Sequence, residues 1–169
     1  MVIFVSGVHG SGKGFFCDRL SSELSIPHFS ASEVLKWEEV STSLKNKKVI
    51  NISDTQNRLL VGLEEIKLTH ASFILDGHCC LLDSVGKVQK VDLSIFTIIA
   101  PNFIIYVNSN SKEIQRRLKE RDDIEYPLIL LERMQKMEMK YSEYIANQLN
   151  VSYIQYDGTN LNQIIKNLI

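Results

Sequence analysis

Apolar residues in this chain come in short unbroken runs: Val2-Ile-Phe-Val5, Phe73-Ile-Leu75 and Phe103-Ile-Ile-Tyr-Val107. Runs of this length without polar alternation predict strands buried on both faces, the habit of a parallel sheet. Ile26-Pro-His-Phe29 and Tyr153-Ile-Gln-Tyr156 predict two further strands. Between them the period changes. Phe16, Leu20 and Leu24 recur every four residues and predict one face of a helix. Ser30-Ala-Ser32 caps a helix from Glu33 to Trp37, and Leu44 to Lys48 reads as a polar surface loop. Ser53 caps a helix whose apolar positions are Leu59, Leu60, Leu63, Ile66 and Leu68. Ser109 or Ser111 is expected to cap a helix carrying Arg116 to Arg121. A long helix is expected from Pro127 to Leu149 and a closing one from Leu161 to Ile169. Cys79–Leu82 and Lys87–Val91 flank Asp83-Ser-Val-Gly86, which suggests a small inserted hairpin. Strands alternating with helices predict an α/β fold of three layers, a five-stranded parallel sheet with helices on both faces. With no internal repeat or linker, residues 1–169 read as one domain.

The first strand runs into Gly7-Val-His-Gly-Ser-Gly-Lys13-Gly14, and a helix is expected to begin around Gly12. That context, strand then glycine-rich turn then helix, is what a phosphate-binding loop requires. Glycines let successive N–H groups turn inward, and the helix N-terminus adds a partial positive charge. The candidate nucleotide contacts are Gly7, His9, Gly10, Ser11, Gly12, Lys13, Gly14 and Phe15, with Lys13 reaching the β/γ-phosphates. The hydroxyl that usually follows the lysine and touches Mg²⁺ is replaced here by Gly14 and then Phe15. Asp76 ends an apolar strand, where an acid can hold Mg²⁺ through water, or else caps the turn at Gly77. Arg117 and Arg121 share a helix face and suit phosphate oxygens, although Glu113, Glu120 and Asp122 could pair with this basic cluster instead. Arg133 is a weaker candidate. Lys36 could meet a second phosphate, and His78 could orient water or substrate near Asp76 or make a structural hydrogen bond. His9, His28 and His70 show no metal-ligand spacing.

Composition narrows the setting. A net charge of -1 argues against a general nucleic-acid footprint. Cys17, Cys79 and Cys80 have no zinc spacing and read as buried thiols of a reducing cytoplasm. The apolar start is one strand long without a basic leader, and no apolar run is long enough to span a bilayer. A soluble cytoplasmic protein is expected.

Gly7-Val-His-Gly-Ser-Gly-Lys-Gly-Phe-Phe-Cys17 resembles the loop of the adenylate kinase and nucleoside monophosphate kinase family, Gly-x-Pro-Gly-x-Gly-Lys-Gly-Thr-Gln-Cys. In that pattern a glycine follows the lysine, so Gly14 is ordinary. The departures are Phe15 for threonine and His9 for proline. Phe29-Ser-Ala-Ser-Glu-Val-Leu-Lys36 is similar to the family's acceptor segment, with Lys36 at an arginine position. Phe73-Ile-Leu-Asp-Gly77 is similar to its strand end, Arg117-Leu-Lys-Glu-Arg121 to the first flank of its lid, and Arg121-Asp-Asp123 to the second. Asp157-Gly-Thr159 resembles the loop near the adenine. The arginine that follows Asp-Gly-Phe-Pro is missing, and Asp76-Gly-His-Cys resembles the Asp-Tyr-His-Gly-Cys of small adenylate-kinase-like ATPases linked to ribosome assembly. The resemblance implies a P-loop NTPase fold with a short lid and a kinase moving the γ-phosphoryl of ATP, with Mg²⁺, to an acceptor such as a nucleoside monophosphate. It implies that Lys13, Asp76, Arg117 and Arg121 carry the chemistry, with Arg117 also at the nucleotide and Asp76 at the metal. Ser30, Glu33, Lys36 and His78 would face the acceptor. A nucleotide switch or ATPase acting on a protein partner, or a kinase of a non-nucleotide small molecule, is the alternative.

Overall fold

The computed structural model describes residues 1–34, 52–83 and 86–169, leaving aside the side chains of 52–57. The expected loop at Leu44 to Lys48, the C-terminal part of the Glu33–Trp37 helix, and Lys36 lie outside the described residues.

Five of the apolar runs form one sheet. β1 (Val2–Ser6), β2 (His28–Ser30), β3 (Phe73–Gly77), β6 (Phe103–Val107) and β7 (Ser152–Tyr156) are parallel, in the order β2-β3-β1-β6-β7. The inserted hairpin is present: β4 (Cys80–Leu82) pairs antiparallel with β5 (Val88–Lys90). Parallel neighbours need crossover helices, and these cover both faces. α1 (Lys13–Leu24) and α7 (Leu161–Leu168) pack on one face, where Phe16, Leu20, Leu161 and Ile164 meet Ile3, Val5, Ile74 and Ile105. α3 (Ile52–Thr69), α4 (Leu93–Ile99) and α6 (Leu128–Leu149) cover the other, where Leu63, Phe96, Ile99, Tyr141 and Ile145 meet Phe4, Phe73, Leu75 and Ile104. Successive strand residues therefore feed two different cores, which is why these strands read as unbroken apolar runs. Burial of a side chain such as Phe4, 1% exposed with its ring edge-on to Phe96 at 5.3 Å, is worth about 3–5 kcal/mol against truncation to alanine.

Two local expectations are corrected. α5 (Ser111–Asp122) is capped by neither Ser109 nor Ser111. Asn110 caps it, its Oδ1 accepting from the N–H groups of Lys112 and Glu113. The segment after Val91 forms α4, started by Asp92, whose Oδ1 accepts from the Ser94 N–H. The sequence reading left that stretch without an element.

The topology positions the site. The chain leaves β1 toward β2 on one side, whereas from β3 it returns past β1 to β6 on the other. Connections diverge between the carboxyl ends of β1 and β3, the place where ligands collect on open α/β sheets. Val5 lies opposite Asp76 and Ser6 opposite Gly77, so the glycine loop and Asp76 emerge side by side. Among the described residues no helix is long and apolar enough to cross a membrane.

Candidate phosphate-binding site

The loop between β1 and α1 curls because three of its glycines adopt backbone angles that side chains disfavour. Gly7, Gly10 and Gly12 have φ of 154°, 79° and 93°. A Cβ on Gly7 would lie 2.9 Å from the Val107 carbonyl oxygen and 2.9 Å from Ser11 Oγ, so the loop start is seated directly against β6. Gly12 is the N-cap of α1 and has no side chain to cap it, so first-turn amides remain available to an anion. Among the described residues Ser11 Oγ is buried without a hydrogen-bond partner, an orphaned polar atom inside the cradle.

Lys13 is 7% exposed and its Nζ approaches the Val8 carbonyl at 3.5 Å. Burial holds its pKa below the usual lysine range, while the negative charges of Asp76 and Glu138 favour the ammonium. Asp76 is itself held. Its Oδ2 accepts from His28 Nε2 at 3.0 Å, and His28 Nδ1 reaches Asp18 Oδ1 at 3.2 Å. Burial disfavours a charged imidazole, but the two carboxylates outweigh it and raise the His28 pKa. The ring is thus a bracket between α1 and β3 that fixes the Asp76 carboxylate.

These groups open into a cavity of about 320 Å³. Its polar end is lined by His9, Gly10, Gly12, Lys13, Gly14, Asp76 and Arg121. Ser30, Ser32 and His78 also line it, and its apolar lining includes Leu59, Leu81, Val91, Ile95 and Phe96. The His9 and His78 rings meet at 4.0 Å between centroids. Arg121 stands at the cavity with its guanidinium on the Asp122 carboxylate at 2.8 and 2.6 Å. Arg117 flanks the loop from outside the lining, donating to the Gly10 carbonyl at 3.2 Å and pairing with Glu113.

Some anticipated contacts sit elsewhere. Glu33 accepts from the Ser30 N–H at 3.2 Å, a local helix-start bond, and is exposed. Phe15 is 68% exposed, with the Arg19 guanidinium 5.9 Å above its ring. Lys36 is not among the described residues. Arg116 pairs with Glu113 and Glu120, the surface ion-pair arrangement its spacing allowed.

A P-loop family whose description reads "AAA domain" matches residues 6–127, from the end of β1 through α5. The chain belongs to that AAA domain family. Sequence relatives place it with adenylate-kinase-like P-loop kinases. It is 28% identical to adenylate kinase isoenzyme 1 of Oryctolagus cuniculus, over 72% of this chain and 64% of that protein. It is 28% identical to the adenylate kinase of Xanthomonas oryzae pv. oryzae, over 76% of this chain and 83% of that protein. It is 26% identical to UMP-CMP kinase 3 of Oryza sativa subsp. japonica, over 72% and 59%. The chain thus spans a little under two thirds of the rabbit and rice relatives. Shikimate kinase from Acinetobacter baumannii, solved with shikimate, shares the fold at a TM-score of 0.59 and 13% identity, covering 99% of this chain and 89% of that one.

In this AAA domain chain the sequence reading missed a buried polar stripe on α6. Gln135, Glu138 and Ser142 are all buried. Gln135 Oε1 accepts from the Ser109 N–H at 3.3 Å, and Ser142 Oγ lies 2.7 Å from Ser6 Oγ at the end of β1. Glu138 accepts from the Cys79 and Cys80 N–H groups, both at 2.7 Å, and the nearby Gly7 N–H dipole favours its charged form. Burial raises its pKa to about 7, against the pull of these N–H groups and Lys13. A signal existed. Buried residues of α6 recur at Leu131, Met134, Glu138, Tyr141 and Ile145, so Glu138 is a charge on the apolar register.

Proposed function

We propose that this chain is a phosphotransferase that moves the γ-phosphoryl group of ATP to a nucleoside monophosphate. The observation carrying this reading is one cavity in which Lys13, Asp76 and Arg121 stand beside an uncapped glycine loop. The loop amides and the orphaned Ser11 hydroxyl suit phosphate oxygens, and Lys13 would neutralise charge on the transferring group. Among the described residues Asp76 is the sole carboxylate lining the cavity. One fixed carboxylate plus substrate phosphates is a donor set that fits Mg²⁺, so Asp76 would hold the ion, directly or through water. When bound, Mg²⁺ neutralises charge on the β- and γ-phosphates. Arg121 would leave or share Asp122 to stabilise the transferring phosphoryl, and Arg117 would brace the loop over the nucleotide. Ser30 and His78 line the same cavity, whose apolar lining would bury the acceptor's base, with Glu33 and Lys36 assigned to the acceptor by resemblance. The protein's work is positioning and charge stabilisation.

A second reading, a nucleotide-hydrolysing switch acting on a protein partner, is favoured by one observation. Among the described lining residues the Lys and Arg side chains are Lys13 and Arg121, both at the loop end, which leaves an acceptor phosphate to other residues. The connection between α5 and α6 is also short, residues 123–127, so little chain is present to act as a lid. The test is incubation with Mg·ATP and a panel of nucleoside monophosphates and small alcohols, with products followed by mass. A phosphorylated acceptor with matching ADP supports the kinase. Acceptor-independent phosphate release overturns it in favour of the switch.

A further inference from the structure

We infer that Glu138 is a positioning residue for phosphoryl transfer, holding the phosphate loop and the segment that carries Asp76 and His78 at one fixed spacing. The inference rests on the phosphotransferase reading above.

Among the described residues the two segments also meet where the His9 and His78 rings lie 4.0 Å apart. Asp76 follows from β3 and the loop from β1, and beyond the last ladder pair, Ser6 with Gly77, the strands no longer hold one another. At that point the Glu138 carboxylate, 1% exposed, spans the gap. Its Oε1 takes the Cys79 N–H and its Oε2 the Cys80 N–H, and the Gly7 N–H dipole favours the charge on the same group. The same helix adds a second tie one turn on: Ser142 Oγ lies 2.7 Å from both Ser6 Oγ and the Glu138 carbonyl oxygen. An apolar residue at 138 would leave those amides buried without acceptors, and a neutral amide side chain would set its NH₂ group against an N–H. The carboxylate alone accepts at both oxygens.

The carboxylate also acts on Lys13. After Asp76 it is the largest charge favouring the Lys13 ammonium in a site whose burial opposes it. Loss of the Glu138 charge would therefore loosen the spacing and weaken the ammonium together. The titratable groups that face Glu138 are Lys13 from the loop, the Cys79 and Cys80 thiols, Tyr106 of β6 and Tyr153 of β7. The thiols and phenols are all shifted upward, so none is expected to ionise near neutrality alongside the carboxyl.

The test compares the native protein with Glu138→Gln in two ways. First, turnover is measured with Mg·ATP and whichever panel acceptor gives the fastest ADP formation. The expected result is a kcat lower by about 10- to 100-fold, with KM for ATP within about threefold, the signature of misplacement. The ratio of native to variant kcat/KM cancels the titration of the substrates' own phosphates. It should be large above pH 8 and fall toward one below pH 6. An unchanged kcat, or a ratio flat with pH, overturns the inference. Second, backbone amide shifts of Gly7, Cys79 and Cys80 are followed against pH in the nucleotide-free native protein. All three should share one titration near pH 7. Separate behaviour at Gly7 overturns the coupling, whether or not the variant folds. A native protein inactive with every acceptor would sink the phosphotransferase reading, and the amide titration would still decide the coupling.

Discussion

Alanine placed at Gly7, where the loop begins, and at Gly14, in the first turn of the helix it feeds, adds the same atom, yet the two sites should respond with opposite sign. At Gly7 the backbone has φ of 154°, and the new Cβ would sit 2.9 Å from a backbone oxygen of β6 and 3.2 Å from Lys13 Cγ. Backbone strain of this kind costs about 1–3 kcal/mol, and forcing a methyl into a filled space a further 1–3 kcal/mol. Val107 belongs to a central strand and cannot yield cheaply, so a total of about 2–6 kcal/mol is expected. Gly14 is in α1, with nothing among the described residues within 4 Å of the added Cβ. There alanine should gain about 0.5 kcal/mol by restricting the unfolded chain and improving helix propensity. With a urea slope of about 2 kcal/mol per molar, Gly7→Ala should lower the unfolding midpoint by on the order of 1–3 M. Gly14→Ala should raise it by about 0.2 M. The assay is equilibrium urea unfolding without nucleotide, so that ligand binding does not enter. A Gly7→Ala midpoint lowered by less than about 0.5 M, half the smallest shift expected from the slope, would refute the reasoning about the loop's seat. Loss of stability at Gly14 would refute the claim of open space.

Two further outcomes follow from the site. Arg121→Ala should lower turnover about 10- to 100-fold while changing ATP affinity little, because the guanidinium is expected to meet charge that develops during transfer; equal losses in both would make it a binding residue only. His28→Asn should destabilise the protein more at pH 6 than at pH 9, read from urea midpoints. The folded-state pKa of His28 is raised, so its contribution is complete below the unfolded value of 6.5 and is lost as pH rises through the folded value. A difference that is constant with pH would mean the His28 bracket carries no charge.

What the sequence revealed and what it hid divide along the range of the interactions. The glycine loop was legible because its signals are local: an apolar strand, then glycines at fixed spacing, then an apolar helical period. Asp76 was legible because it ends an apolar run. The hairpin showed in its turn residues even though the strands are three residues each. α4 was hidden because Leu93-Ser-Ile-Phe-Thr-Ile-Ile99 is rich in residues that suit strands equally well, and its N-cap is a lone Asp92. Asn110 was passed over for two serines beside it, although all three residue types can cap a helix and only the backbone decides among them. The brackets of the site were out of reach for another reason. His28 meets Asp76 across 48 positions, and Glu138 meets Cys79 across 59. Glu138 also bonds to backbone N–H groups, which leave no mark in residue types. Its place on the apolar register of α6 was the one local trace.

The central claim is that this cavity passes the γ-phosphoryl of ATP to an acceptor held along its length. The most direct measurement is ³¹P NMR of the native protein with Mg·ATP and each nucleoside monophosphate, beside Lys13→Ala as control. The account predicts that the γ-phosphate and nucleoside monophosphate signals decline together while two nucleoside diphosphate β-phosphates grow for each γ lost, without inorganic phosphate, and that Lys13→Ala shows none of these changes. Signal that moves only to inorganic phosphate, or full transfer in Lys13→Ala, would contradict it.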